Sequence, residues 1–322
     1  MQCGYSERIV HNVAMNGARS MDGNPPPDDA IRPVGRQARA VDGFRLAYDR
    51  SGDGQSVILL HGWPGDRHDY RDVVAELGGD VDVIVPDLRG FGESDKHVAN
   101  PRNQYDAAAQ ARSVMALLDE LDVDRVVVGG YDVGSRVAHA LVHLYPHRIR
   151  GLVLSPPLPG VGRRILDPSA QPEYWYQAFH QLPLVEHVLD GKPEAVLAYL
   201  SYFWRHWSGP DYRPGEDELR RLADLYGAPG AMVASVNYYR AGAGTVAQSL
   251  GEKVPDRSDR VPVPTIVLWP GRDALVQRQW ADRLDEYFAD LDFRVVESGH
   301  FTPVEAPRDF ASAVIDLLGA HY

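Results

Sequence analysis

The 322-residue chain sets 45 acidic side chains against 33 basic ones, a formal net charge of −12. Such a surface repels phosphate backbones and anionic lipid, so neither nucleic acid nor a membrane surface is expected as a partner. Hydrophobic residues make up 44% of the chain, enough for a sizeable core, yet no apolar run approaches the roughly 20 residues that span a bilayer. Cys3 is the only cysteine, which excludes intramolecular disulfides and cysteine metal sites, and no basic-then-apolar leader opens the chain, so a cytoplasmic location is expected.

Residues 1–37, with the proline-rich run from Asn24 to Asp29 and little apolar periodicity, read as a flexible tail. From Ala38 the pattern changes. Phe44 to Tyr48 alternates like a half-buried strand, and Ser56 to Leu60 is a short continuous apolar run, as for a central parallel strand. Tyr70 to Leu77 suits a returning helix, and Val81 to Pro86 a further strand. Between Tyr105 and Asp122, the residues Ala111, Val114, Met115, Leu118 and Leu121 recur at helical spacing on one face. An apolar strand from Arg125 to Gly129, a helix through Tyr145 and a strand from Gly151 to Ser155 follow. This alternation predicts a doubly wound α/β fold with a mostly parallel sheet and right-handed crossovers.

The alternation stops after Pro159. Residues 161–254 read as helices punctuated by Gly and Pro, and hold three Trp, eight Tyr and two Phe, 13 of the chain's 30 aromatic residues. That enrichment fits a small helical unit whose aromatics pack internally, with a few left to line a ligand cavity. Strand alternation resumes at Thr265 to Trp269 and ends in a helix with Phe310, Ala313, Val314, Leu317 and Leu318 on its core face. The expected organisation is thus a core of residues 38–160 and 255–322 with a helical cap at 161–254.

At Gly130-Tyr131-Asp132-Val133-Gly134 an apolar strand runs into a helix between small residues. That is the pattern of a nucleophile elbow, in which a sharp turn lifts one side chain above the sheet. Here the raised residue is an aspartate. A carboxylate needs no base to become nucleophilic, and its attack on carbon gives an alkyl ester. Asp132 therefore points to hydrolysis at an sp³ carbon, such as an epoxide or a carbon–halogen bond. No serine stands in an equivalent context.

Such a nucleophile needs oxyanion donors, a base and a residue that orients the base. The glycine-rich turn His61-Gly62-Trp63-Pro64-Gly65 offers the N–H of Trp63, and the helix start after the nucleophile offers that of Val133. His300, preceded by Gly299 at a strand end, is the expected base, and Asp273, in the loop after Trp269, the orienting acid. His139, His143 and His147 lie along the helix after the elbow as surface or packing residues. Their spacing lacks a third ligand, so no metal is expected.

Together with Asp87-Leu88-Arg89-Gly90-Phe91-Gly92-Glu93-Ser94, these motifs make the chain, from about residue 40 to its end, resemble the α/β-hydrolase fold family, in its epoxide hydrolase and dehalogenase branch. The resemblance implies the order nucleophile, acid, base, a cap inserted after the sixth strand, a cis peptide before Pro64 and no cofactor. For the epoxide hydrolases it implies two cap tyrosines that protonate the leaving oxygen. Tyr239 occupies one such position in Asn237-Tyr238-Tyr239-Arg240. Tyr176 fits the other by spacing, with Tyr174 as its competitor if the register slips by two.

Dehalogenases of haloalkanes carry Trp directly after the nucleophile, where this chain has Val133. Fluoroacetate-type dehalogenases carry arginines one and four residues after it and a His-Trp pair in the cap. Here Arg136 keeps the second arginine, but Val133 and Tyr176-Gln177 replace the rest. Relatives often place His before the nucleophile, where this chain has Tyr131, expected beneath the elbow. Trp63, Tyr131, Arg136, Tyr174 and Trp175 are expected to line the substrate pocket. The reading favoured is hydrolysis of a small apolar epoxide by water. A fluoroacetate-type or other dehalogenase is the alternative, a non-catalytic ligand-binding protein the second alternative, and a homodimer is left open.

Overall fold

The computed structural model describes residues 36–97 and 100–319. The tail expected at 1–37 therefore lies outside the described residues, except that Arg36–Gln37 form a short strand.

Eight strands make one sheet in the order β1-β2-β4-β3-β5-β6-β7-β8. They are β1 Arg36–Gln37, β2 Ala47–Ser51, β3 Gln55–Leu60, β4 Val81–Pro86, β5 Val126–Tyr131, β6 Ile149–Ser155, β7 Thr265–Pro270 and β8 Leu291–Val296. β1 and β2 run antiparallel to their neighbours, and all other pairs are parallel. The central strands β4, β5 and β7 are buried along their whole length, the consequence of helices covering both faces.

The first strand differs from its expected position. Phe44 is buried, but its backbone pairs with Val41 across Asp42 and Gly43, both at positive φ. The alternation from Phe44 thus marks a tight turn and an approach, and the ladder to β4 begins only near Tyr48. Between β6 and β7 the elements are helical, including Trp175–His180, Pro193–Trp207, Glu216–Gly227, Ala231–Arg240 and Thr245–Gly251. No helix among the described residues is long and apolar enough to cross a membrane.

The parallel order brings the carboxyl ends of β3, β5, β7 and β8 to one edge of the sheet. In such sheets ligands bind outside those strand ends, at the point where strand order reverses. β3 and β5 are neighbours there, so the loops after Leu60 and Tyr131 meet.

Candidate active site

Asp132 sits between β5 and the helix Val133–Leu144 with φ +49° and ψ −117°. A non-glycine residue in such a conformation is strained and persists only where its surroundings force it. They do so here through glycine. A Cβ on Gly134 would lie 1.8 Å from the Leu60 carbonyl oxygen, and one on Gly62 would lie 2.6 Å from the Cβ of Asp132. Ser135 Oγ binds the carbonyls of Gly130 (2.8 Å) and Ser155 (2.6 Å) and ties the helix start to two strands. Gly134→Ala should therefore destabilise the protein by about 1–3 kcal/mol or more through overpacking, measured as a fall in the denaturant midpoint. An unchanged midpoint would mean that the elbow can spread.

The loop after β3 supplies the next group. The Trp63 N–H donates to Asp132 Oδ1 at 2.8 Å, and the Trp63–Pro64 bond is cis. His61 holds the loop's shape: its Nε2 accepts from the Leu88 N–H at 3.0 Å, while Nδ1 lies 2.9 Å from the Gly62 carbonyl. Asp87, from the loop after β4, accepts the N–H groups of Arg67 and Glu93, each at 2.8 Å. Val133 is buried and faces the same small cavity as Asp132.

His300 is fully buried. Its Nδ1 lies 2.9 Å from Asp273 Oδ2, whose other oxygen accepts the Leu275 N–H at 2.7 Å. Its Nε2 lies 3.5 Å from Asp132 Oδ2, an ion-pair distance that leaves the nitrogen without a hydrogen bond. Burial works against a charged ring, but the Asp273 carboxylate, with Asp132 adding to it, overcomes this and pushes His300 up to about 10. The loop is also pinned from the helical segment. The His300 N–H donates to the Trp207 carbonyl at 2.8 Å. Glu305 accepts the N–H groups of Gly209 (2.7 Å), Gly299 (2.8 Å) and Phe301 (3.1 Å).

Of the aromatic candidates, Tyr176 lies parallel to the Trp63 ring at 5.4 Å, and Tyr239 stands edge-on to Tyr176 at 5.7 Å. Both are buried. Burial pushes both phenols well above their usual range. The nearby Asp132 charge is next for Tyr176 and follows Tyr176 itself for Tyr239.

The other expected pocket residues take the following positions, Arg136 on the small cavity beside Asp132 and Tyr174 and Trp175 on an open pocket that also touches Tyr239. Tyr174 donates its hydroxyl to the Leu275 carbonyl at 2.8 Å. Trp175 is 42% exposed and stacks on Phe203. Tyr131 turns beneath the elbow and donates to Asp69 at 2.5 Å. Arg136, one helical turn beyond Asp132, leaves Nε and Nη2 buried and without a partner among the described residues.

Space at Asp132 is small. About 10 Å³ lies beside Asp132, lined also by Val133, Arg136, Tyr238 and Tyr239. Two larger open pockets flank it. One of about 410 Å³ shares the Tyr239 and Gly244 wall, and one of about 310 Å³ shares Arg136 and reaches His139, His143 and Lys253. His139 and His143 meet edge-on at 4.6 Å, and burial pulls His139 down to about 3. Among the described residues, no group of three or more His, Cys, Asp or Glu could hold a metal ion. Sequence reasoning missed Trp207, which packs 5.2 Å from the His300 ring, and Glu305, which accepts the backbone N–H groups around it. Neither carries a local motif.

Residues 55–307 match the α/β hydrolase fold family. The chain is 26% identical over 286 residues to the soluble epoxide hydrolase of Corynebacterium sp. (strain C12), covering 83% of this chain and 91% of that protein. It is 28% identical over 277 residues to a fluoroacetate dehalogenase of Burkholderia sp., covering 83% and 88%. A solved structure from work on novel epoxide hydrolases in metagenomes from hot environments superposes with a TM-score of 0.75 at 22% identity, covering 90% of this chain and 100% of that one. By the match over most of its length, and by the fold and strand-end loops described above, the chain belongs to the α/β-hydrolase fold family, with epoxide hydrolases and a dehalogenase among its relatives.

Proposed function

We propose that the protein hydrolyses an epoxide to a vicinal diol through a covalent ester on Asp132, beneath a cap formed by residues 161–254. The observation that carries this reading is the pair of buried phenols, Tyr176 and Tyr239, packed against Trp63, whose own N–H holds the nucleophile. An epoxide's leaving oxygen stays attached to the substrate and needs a proton donor poised over the ring. Phenols pushed upward by burial remain protonated at neutral pH and serve as those donors.

In the first step Asp132 Oδ2 gives its electron pair to a ring carbon, the carbon–oxygen bond breaks, and the oxygen takes a proton from the tyrosine pair. Oδ1, held by the Trp63 N–H, becomes the ester carbonyl oxygen. In the second step water attacks that carbonyl carbon while His300 takes its proton. The oxyanion on Oδ1 meets the N–H groups of Trp63 and Val133. As it collapses, the bond from the carbonyl carbon to Oδ2 breaks, and Oδ2 leaves in the diol with the proton held by His300. The water oxygen stays in the Asp132 carboxyl, and that carboxyl's proton returns to the phenolate.

Charge orders the two steps. While Asp132 is ionised, His300 is held up to about 10 and is a cation, unfit as a base. Esterification removes the Asp132 charge, the His300 pKa falls, and a base appears when the ester is ready. The hydrolytic step should therefore quicken with rising pH, as the alkyl-enzyme's His300 loses its proton, up to a plateau below pH 10. A rate independent of pH in single-turnover decay of the ester would remove His300 as the base.

A single turnover in ¹⁸O-water should place label in Asp132 and none in the diol, because water attacks the ester carbonyl. Label in the first diol would rule out the covalent route.

One observation favours a second reading, dehalogenation of a small carboxylate. Leaving guanidinium nitrogens buried without a partner is costly, and Nε and Nη2 of the half-buried Arg136 have none among the described residues, so an anionic substrate would compensate them. Against this stand Val133 beside the nucleophile and the aromatic wall around Tyr176, which holds no second cation for a carboxylate among the residues it packs on. Styrene oxide, cyclohexene oxide, a chloroalkane and fluoroacetate assayed in parallel for diol and halide separate the two. Diol without halide is expected. Fluoride release that is lost in Arg136→Ala, with no diol from any epoxide, would transfer the assignment.

A further inference from the structure

Gln177 is buried, and both ends of its amide are used. Oε1 accepts the backbone N–H of Val246 at 3.0 Å, and Nε2 donates to the Tyr176 hydroxyl at 3.0 Å. The orientation is not arbitrary. A backbone N–H can only donate, so the carbonyl end must face Val246, and the NH₂ end is left for Tyr176. The amide cannot swing away without a cost at both partners. Its oxygen is further hemmed by Gly244, where a Cβ would come within 2.8 Å of Oε1 and 2.7 Å of the Tyr239 ring.

We infer that Gln177 is a positioning residue for ring opening: its Nε2–H fills the acceptor side of the Tyr176 hydroxyl, so that the phenol's own proton is directed to the substrate oxygen. This rests on the epoxide reading above and adds the residue that makes one of its two phenols a donor. An amide N–H gives no acceptor in return. A hydroxyl that accepts such a bond has its proton left over for another partner and becomes a better donor. Once that proton passes to the substrate, the same N–H stabilises the phenolate left behind. The link to Val246 sets the amide by the start of the helix Thr245–Gly251, so the direction of the Tyr176 proton is decided from a different segment of the helical region.

The variant Gln177→Glu tests this. A carboxylate still accepts from Val246 and so keeps the anchor, but towards Tyr176 it can only accept, which turns the phenol's proton away from the substrate. With styrene oxide in single-turnover experiments on the full chain, alkylation of Asp132 should slow on the order of 10²-fold relative to wild type where Glu is ionised, in kcat more than in KM. Acidification should restore it, because a protonated carboxyl can donate to Tyr176 as the amide does. Gln177→Leu, which lacks both bonds, should also slow alkylation, with no recovery on acidification. If the Glu variant does not fold, as read by its melting temperature, the Leu variant carries the test, and a wild-type alkylation rate in it overturns the inference. A Glu variant equal to wild type at every pH, or slowed by a pH-independent factor, overturns the role of Gln177 while diol formation by wild type keeps the epoxide reading. A wild type that forms no diol from any epoxide overturns both.

Discussion

Asp132→Asn should abolish diol formation, with turnover falling by at least about 10⁴-fold, the scale on which loss of a covalent nucleophile is felt. The amide is nearly isosteric and can still accept the Trp63 N–H, so the fold should persist and the melting temperature should move little. A second signature separates this variant from simple damage. With one of the two carboxylates beside His300 neutralised, the imidazole should titrate below the value of about 10 to which they push it together. The Asp273 contact at 2.9 Å remains to keep it from falling further. Imidazole proton resonances followed against pH give that value. Retained turnover would remove Asp132 as the nucleophile, and an unmoved His300 would show that Asp273 alone governs it.

His300→Gln should divide the reaction in two. Ring opening needs no base, so Asp132 should still be alkylated by an epoxide, and the protein should gain the mass of one substrate. Hydrolysis of the ester should slow by about 10²–10⁴-fold, the usual worth of a positioned base. The ester should therefore accumulate and be found by intact-mass and peptide analysis on the segment that contains Asp132. Normal turnover would show that another group activates water. Failure to form any adduct would show instead that His300 is needed for the nucleophile itself, for instance to hold its carboxylate through the 3.5 Å ion pair. In contrast, Tyr176→Phe and Tyr239→Phe should slow the adduct's formation and leave its decay unchanged, since the phenols act only on the ring oxygen.

The sheet and the elbow at Asp132 were legible in the sequence because both are written locally. Apolar runs of strand length separated by helical periodicity leave a doubly wound sheet as the economical way to bury both faces. The elbow needs small residues at fixed offsets from the raised side chain, and Gly130 and Gly134 stand at those offsets. The strand end before His300 and the loop after β7 could be found in the same way, and the structure brings Asp273 within 2.9 Å of His300. The first strand misled, because alternation from Phe44 looks the same whether the backbone pairs with a neighbouring strand or turns back on Val41.

Within the helical segment the sequence says much less. Tyr174, Trp175 and Tyr176 are consecutive and all aromatic, yet one hydroxyl goes to Leu275, one ring lies half in solvent and one stacks on Trp63. Successive residues on a helix point about 100° apart, and only the packing of that helix against partners far along the chain decides which direction meets Trp63 and Asp132. The same holds for Arg136, whose Nε and Nη2 lack a partner among the described residues because of the space around them, and for Gln177, whose two hydrogen bonds reach one adjacent residue and one 69 positions away. Residue types and turn chemistry are local and settle which groups can react. Orientation is set by contacts between distant segments, and only the tertiary structure decides which of those groups face one another.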